Sequence, residues 1–452
     1  MRSVRLTVVA IALVGMASAC GSDSGSSSHD TSASSVDDSG APSTEAAATL
    51  ALTTGTAGTL PAGFTPAESA VHGDTHVVIG SISPAGDPVP AAAVQVGGGE
   101  WQVVTVDDGS GYSPEGGLSV QYGWRATSVT AGANGFVAVG YAGLFSSSYN
   151  KGTGSLVWYS PDGISWTRVD PRSAISGVSV WLNLSRVRAT AGGFVLSGTN
   201  GLNQAIALTS TDGTTWTQTD AFPTQWSLAP IGLYTDGTVV VAEANEYLCL
   251  TDPFAAGTQP LLRWSADGGT TWSSVDMSAV PTLGNFVPEP DAATCATPEY
   301  SGYDNLGKLA GTHGPIGVVD GKLVVADQGL STAASTTDGG TWTTADLPGP
   351  APVAGYAFFN FRSRPSIVTT AGGATLIVVQ VPGDYGEAPP ALAAWSSSDG
   401  LSWTAVTGPK ITPAGDAVLV DAAEGGVVVI TYPIDGQDNL TGPATLTTLS
   451  IA

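Results

Sequence analysis

The sequence predicts an all-β protein, a seven-bladed β-propeller of four-stranded antiparallel blades, with six blades as the alternative. Three observations predict it. A short Asp-Gly turn ending in Trp recurs five times along the chain. A second hairpin, centred on Gly or Asp-Gly, precedes each copy. The composition agrees, with 59 Gly and 12 Trp in 452 residues and only 12% charged side chains, a mix that suits many short strands and turns.

The chain opens on MRSVRLTVVAIALVGMASAC. Arg2 and Arg5 form a basic start, Leu6 to Met16 an apolar stretch short for a bilayer span, and small residues lead into Cys20. This resembles the bacterial lipoprotein signal and implies removal of 1–19, lipidation of Cys20, and a place on the outer side of a bacterial cell membrane. The departure is Ala17, where that family prefers Leu; an ordinary secretory signal cut after Ala19 is the alternative. Residues 20–48 are Ser-rich with almost nothing to bury, so they read as a disordered tether with a reach of roughly 30 Å. Residues 49–452 form the propeller domain. Assigning Cys20 to lipid leaves Cys249 and Cys295, which are expected to pair as a disulfide in an oxidising compartment.

Within the domain the turns read SPDGISW (160–166), STDGTTW (210–216), SADGGTTW (265–272), TTDGGTW (336–342) and SSDGLSW (397–403). QVGGGEW (95–101) is a degenerate sixth. The Asp carboxylate can accept backbone N–H bonds, Gly supplies the positive φ, and Trp opens the next strand toward the core. With the upstream hairpins, each unit supplies four strands. Blades are expected to start near 69, 126, 187, 231, 315, 366 and 416. The last has three strands of its own, and the N-terminal ATLALTTG (48–55) is expected to supply the fourth, closing the ring.

The motif resembles the Asp-box, or BNR repeat, of sialidases and related propellers. Asp162, Asp212, Asp267, Asp338 and Asp399 then read as structural turn residues, and ligands are expected on the face opposite those turns. The sialidase resemblance implies an arginine clamp for a substrate carboxylate and a Tyr–Glu nucleophile pair. Arg125, Arg188 and Arg364 are this sequence's clamp candidates, and Tyr300 or Tyr303 with Glu299 or Glu243 the pair. The sequence lacks the family's Arg-Ile-Pro signature near the first blade, which puts hydrolysis in doubt.

A formal charge of −24 argues against nucleic acid. The binding surface is expected near the mouth of the channel, from Trp124, Arg125, Trp181, Arg186, Arg188, Tyr300, Tyr303, Phe361, Arg362 and Arg364. HGDTH (72–76) is read as a turn, although alternate positions of one strand would let His72, Asp74 and His76 converge. His313 stands alone in sequence. No cofactor or metal is expected. The leading reading is a monomeric binding or scaffolding propeller for a glycan, cell-wall polymer or protein partner. The alternatives are a sialidase-like glycoside hydrolase and an assembly factor for a membrane complex.

Overall fold

Why the chain becomes sheets is visible in its burial pattern. The computed structural model describes residues 52–83, 88–108, 125–142, 154–175, 182–200, 204–222, 227–247, 258–280, 313–327, 329–348, 366–369, 375–381, 391–406, 417–423, 426–432 and 442–451. The chain divides into two units, Met1–Ala48 and Thr49–Ala452, and all described residues fall in the second. Among them are 28 strands in seven four-stranded antiparallel sheets. Six sheets are consecutive in sequence: β2–β5 (64–105), β6–β9 (125–169), β10–β13 (182–219), β14–β17 (227–274), β18–β21 (316–346) and β22–β25 (366–406). The seventh joins β26–β28 (417–451) to the N-terminal strand β1 (Leu52–Thr59), which pairs with β28 (Thr445–Ile451) from Leu52↔Ile451 to Thr59↔Thr445.

Each sheet's first strand is its inner one: β2 (Phe64–His72), β6 (Arg125–Gly132), β10 (Leu182–Thr190), β14 (Ser227–Thr235), β18 (Ile316–Val319), β22 (Ser366–Thr369) and β26 (Ala417–Ala423). These strands pack in succession, each against the next, and β26 packs against β2. The second strands are sandwiched between neighbouring sheets. Val77, Val78, Ile79, Val137, Val195, Leu196, Val240 and Val241 are consequently buried whichever face they occupy. The fourth strands lie outermost and are short and mostly exposed, as in Gln102–Thr105 and Thr343–Asp346.

The Asp-box turns latch neighbouring sheets. At 210–216 the Asp212 Oδ1 accepts the N–H groups of Thr214 and Thr215, each at 2.7 Å, and Gly213 donates its N–H to Ser210 Oγ at 2.9 Å. The turns carrying Asp162, Asp267, Asp338 and Asp399 repeat this scheme. Gly213 has φ +77°, and a Cβ there would stand 2.8 Å from both Tyr159 and Val137 of the preceding sheet. The box is therefore a turn and an inter-sheet contact at once.

Inner strands start at 64, 182 and 227, where the sequence predicts 69, 187 and 231. The cause is a β-bulge shared by four consecutive inner strands, at Pro66/Glu68, Ala126/Ser128, Leu184/Arg186 and Pro230/Gly232. The extra residue breaks the alternation that reveals a strand in sequence, so its upstream half escapes notice.

HGDTH forms the turn that the sequence suggests, with Gly73 and Asp74 linking β2 to β3 (Thr75–Ile82). His72 and His76 lie across a hairpin, opposite Thr75 and Val71 respectively, and so project to opposite faces. His72 packs edge-on against Phe136 of the next sheet, whereas His76 packs on Trp101 of its own. Burial pushes the His76 imidazole down to about 4.

Candidate functional site

The bulges align one rung across four sheets. Glu68, Ser128, Arg186 and Gly232 each follow the bulge of their inner strand, and Thr130, Arg188 and Tyr234 stand two residues further along. An inner strand ends its sheet and has no ladder partner on one edge among the described residues, so the N–H groups of that edge need other acceptors. Side chains from the preceding sheet supply them. Glu68 Oε2 accepts the Val129 N–H at 2.8 Å, Ser128 Oγ accepts that of Val187 at 3.2 Å, and Thr130 Oγ1 accepts that of Ala189 at 3.0 Å.

Glu68 is the hub of this rung. Its side chain is 5% exposed, and Arg188 Nη2 donates to Oε1 at 2.8 Å while Arg186 Nη1 lies 3.5 Å from the same oxygen. Ser128 Oγ donates to the other oxygen. Burial pushes the Glu68 carboxyl up, but the charges of Arg188 and Arg186 with these hydrogen bonds outweigh it and hold it below the ordinary value. The two arginine side chains are 26% and 28% exposed, over a buried, ionised base. Opposite Arg186 across the ladder lies Ser197, fully buried, whose Oγ has no hydrogen-bond partner among the described residues.

A second cluster joins sheets four and five. Glu243, on β15 (Val240–Tyr247), sits opposite Gly232 and is buried. Tyr234 Oη donates to its Oε2 at 2.7 Å, and His313 Nε2 lies 3.2 Å from its Oε1. His313 Nδ1 is 2.7 Å from the Gly314 carbonyl oxygen. A carbonyl only accepts, so Nδ1 carries a proton, and a second proton on Nε2 serves Glu243. Burial pushes the His313 imidazole down, but the hydrogen bond and charge of Glu243 and the Gly314 carbonyl carry it above its ordinary value. Tyr234 folds back over Gly232, where a Cβ would come 2.3 Å from the phenol oxygen.

Several expectations change in this light. Arg186 and Arg188 lie four and six residues past Leu182, where β10 begins, so they sit within the strand rather than at or just before its start. Arg125 is the first residue of β6 and is exposed. Glu243 does meet a tyrosine, but it is Tyr234, and His313 joins it rather than standing alone. Glu68, Ser128 and Tyr234 escape sequence reasoning; a lone carboxylate inside FTPAESAV was the available signal for Glu68. Trp124, Trp181, Glu299, Tyr300, Tyr303, Phe361, Arg362, Arg364, Cys20, Cys249 and Cys295 lie outside the described residues.

No family model and no curated protein matches the sequence. Among solved structures the chain is similar to the polysaccharide lyase Uly1, at 12% identity and TM-score 0.50, covering 85% of this chain and 89% of that one. It is also similar to a streptogramin B lyase (10% identity, TM-score 0.44, 90% of this chain and 100% of that chain). A trypanosomal sialidase variant, from Trypanosoma rangeli, gives 11% identity and TM-score 0.43 over 85% of this chain and 54% of its own length. At such identities the likeness to Uly1 is one of fold: an all-β, propeller-type arrangement of four-stranded antiparallel sheets.

Proposed function

We propose that the chain is a seven-bladed propeller that works outside a bacterial membrane, held there by lipid on Cys20, and binds an anionic glycan or cell-wall polymer at the inner rung. The circuit of inner strands and the β1–β28 pairing support seven blades and closure. One observation carries the ligand class. Arg186 and Arg188 are fixed by Glu68 yet remain about a quarter exposed, in a chain of net charge −24 with only 14 Lys and Arg. Placing two of so few guanidiniums on adjacent inward positions creates a preorganised fork for carboxylate or sulfate. The five box aspartates hold turns and take no part in the site.

The test uses the full chain in mild detergent against immobilised acidic and neutral glycans. Binding to acidic polymers that weakens with salt, and falls about tenfold or more in Arg188→Lys, is expected, since lysine keeps the charge but loses the fork. Equal retention by neutral polymers, or none by either, overturns the reading and shifts the weight to a protein client. Glycan cleavage at the same rung is a second reading, favoured by the 2.7 Å bond between Tyr234 and Glu243.

A further inference from the structure

We propose that Tyr234, Glu243 and His313 form an acid–base centre that cleaves uronate-containing polysaccharides by elimination. The inference rests on the anionic-glycan reading above and adds a reaction to it.

Hydrolysis needs a proton donor and a base or nucleophile flanking the glycosidic bond, ordinarily two carboxyl groups in different protonation states. The rung offers a poor donor. Glu68 is held ionised by two arginines and a buried N–H, so it has no proton to give. Elimination asks for different parts. A cation must balance the sugar carboxylate, so that the hydrogen on the neighbouring carbon becomes acidic. One group must then take that proton, and one must protonate the leaving oxygen.

The structure carries those parts on neighbouring strands. Arg188 and Tyr234 occupy the same rung of β10 and β14, two residues past the bulge in each, and those strands pack together. Tyr234 is partly exposed, whereas the Glu243 and His313 behind it are not: their side chains are 4% and 10% exposed. Tyr234 is therefore the one partly exposed member of this otherwise buried trio. In the reaction, Tyr234 passes its own proton to Glu243 as its oxygen takes the proton α to the sugar carboxylate. The C–H electron pair becomes a C=C bond, and the bond from the β-carbon to the glycosidic oxygen breaks. The departing oxygen takes a proton from Tyr234, and Glu243 returns the borrowed one. Atoms balance with no water, oxidant or reductant consumed: one chain becomes an unsaturated uronate end and an alcohol. His313 is a positioning residue, which holds the Glu243 carboxylate toward the phenol and supplies the compensating charge.

The experiment incubates the full chain with polygalacturonate, alginate and hyaluronan, with dextran as a neutral control. It follows binding, the ultraviolet absorbance of the conjugated unsaturated product, and new reducing ends. Expected are unsaturated ends from at least one uronate polymer, lost by about a hundredfold or more in Tyr234→Phe with binding retained. Glu243→Gln provides a second variant, and circular dichroism confirms that both fold. His313→Gln should retain some turnover but move the acid limb of the pH–rate profile to higher pH, because Glu243 loses a neighbouring cation. Reducing ends without ultraviolet absorbance overturn elimination in favour of hydrolysis. Binding with no product overturns it and leaves the binding reading standing. Neither binding nor product overturns both.

Discussion

Two glycines with the same backbone angle separate the conformational role of a turn from its packing role. Gly63 has φ +78° and Gly213 has φ +77°, so alanine pays about the same left-handed strain at either, about 1–2 kcal/mol. Their surroundings differ. A Cβ on Gly63 meets nothing within 4 Å, whereas one on Gly213 stands 2.8 Å from Tyr159 Cδ2 and Val137 Cγ2. Neither neighbour yields easily: the Tyr159 hydroxyl donates to the Asn134 carbonyl at 2.6 Å, and Val137 is fully buried. Overpacking of this kind adds about 1–3 kcal/mol. Gly213→Ala should therefore unfold at lower urea than Gly63→Ala, by a margin equivalent to about 1–3 kcal/mol, with the two m-values alike. Tryptophan fluorescence during urea titration reads both. Equal losses would refute the argument, because the box turn would then not be seated on the preceding sheet.

Glu68→Gln should destabilise the domain by about 3–5 kcal/mol, since it leaves two arginines gathered around a neutral amide. The folded Glu68 carboxyl lies below its ordinary value, so its contribution is present above the unfolded pKa and is lost as pH falls through the folded one. Urea midpoints across that acid range should decline less in the variant than in the parent; parallel curves would count against the ion pair. His76 behaves as a buried neutral imidazole, with a folded value of about 4 against 6.5. As pH falls between those values the unfolded chain takes up the proton first, costing up to about 3 kcal/mol of stability. His76→Phe, which keeps the edge contact to Trp101, should remove that loss, and an unchanged acid profile would contradict it. Alkylation of the unfolded, unreduced chain should find no free thiol at Cys249 or Cys295; labelling there before reduction would rule out the disulfide.

What was legible in the sequence was what is local. The Asp-box places its acceptor, its hydroxyl and its glycine within a few residues, as when Asp162 Oδ1 takes the Ile164 and Ser165 N–H groups, so the turn is specified wherever the motif occurs. The contribution of β1 to the last sheet was legible for a related reason: a three-stranded remainder at one terminus requires a strand from the other. The site is the reverse case. Arg188 reaches Glu68 across 120 positions and His313 reaches Glu243 across 70, so no window of sequence contains either pair. Scarcity drew attention to the arginines, but it could not reveal that a carboxylate lay beneath them.

The shared bulge explains why chemistry gathers at this rung. Successive inner strands place equivalent positions after the bulge, and in the first two sheets these serve the scaffold: Glu68 and Ser128 accept N–H groups of the next strand. The third sheet places arginines there, and a guanidinium has no acceptor to offer, so the structural pattern stops where the donors begin. The fourth has Gly232, whose missing side chain leaves the space that the Tyr234 ring occupies. Acceptors, donors and an aromatic hydroxyl thus follow one another around a single rung. A scaffold that needed only closed hydrogen bonds would repeat Ser or Thr at this position. The departure from that repeat, beginning at Arg186, is the strongest physical reason to place function on the inner strands.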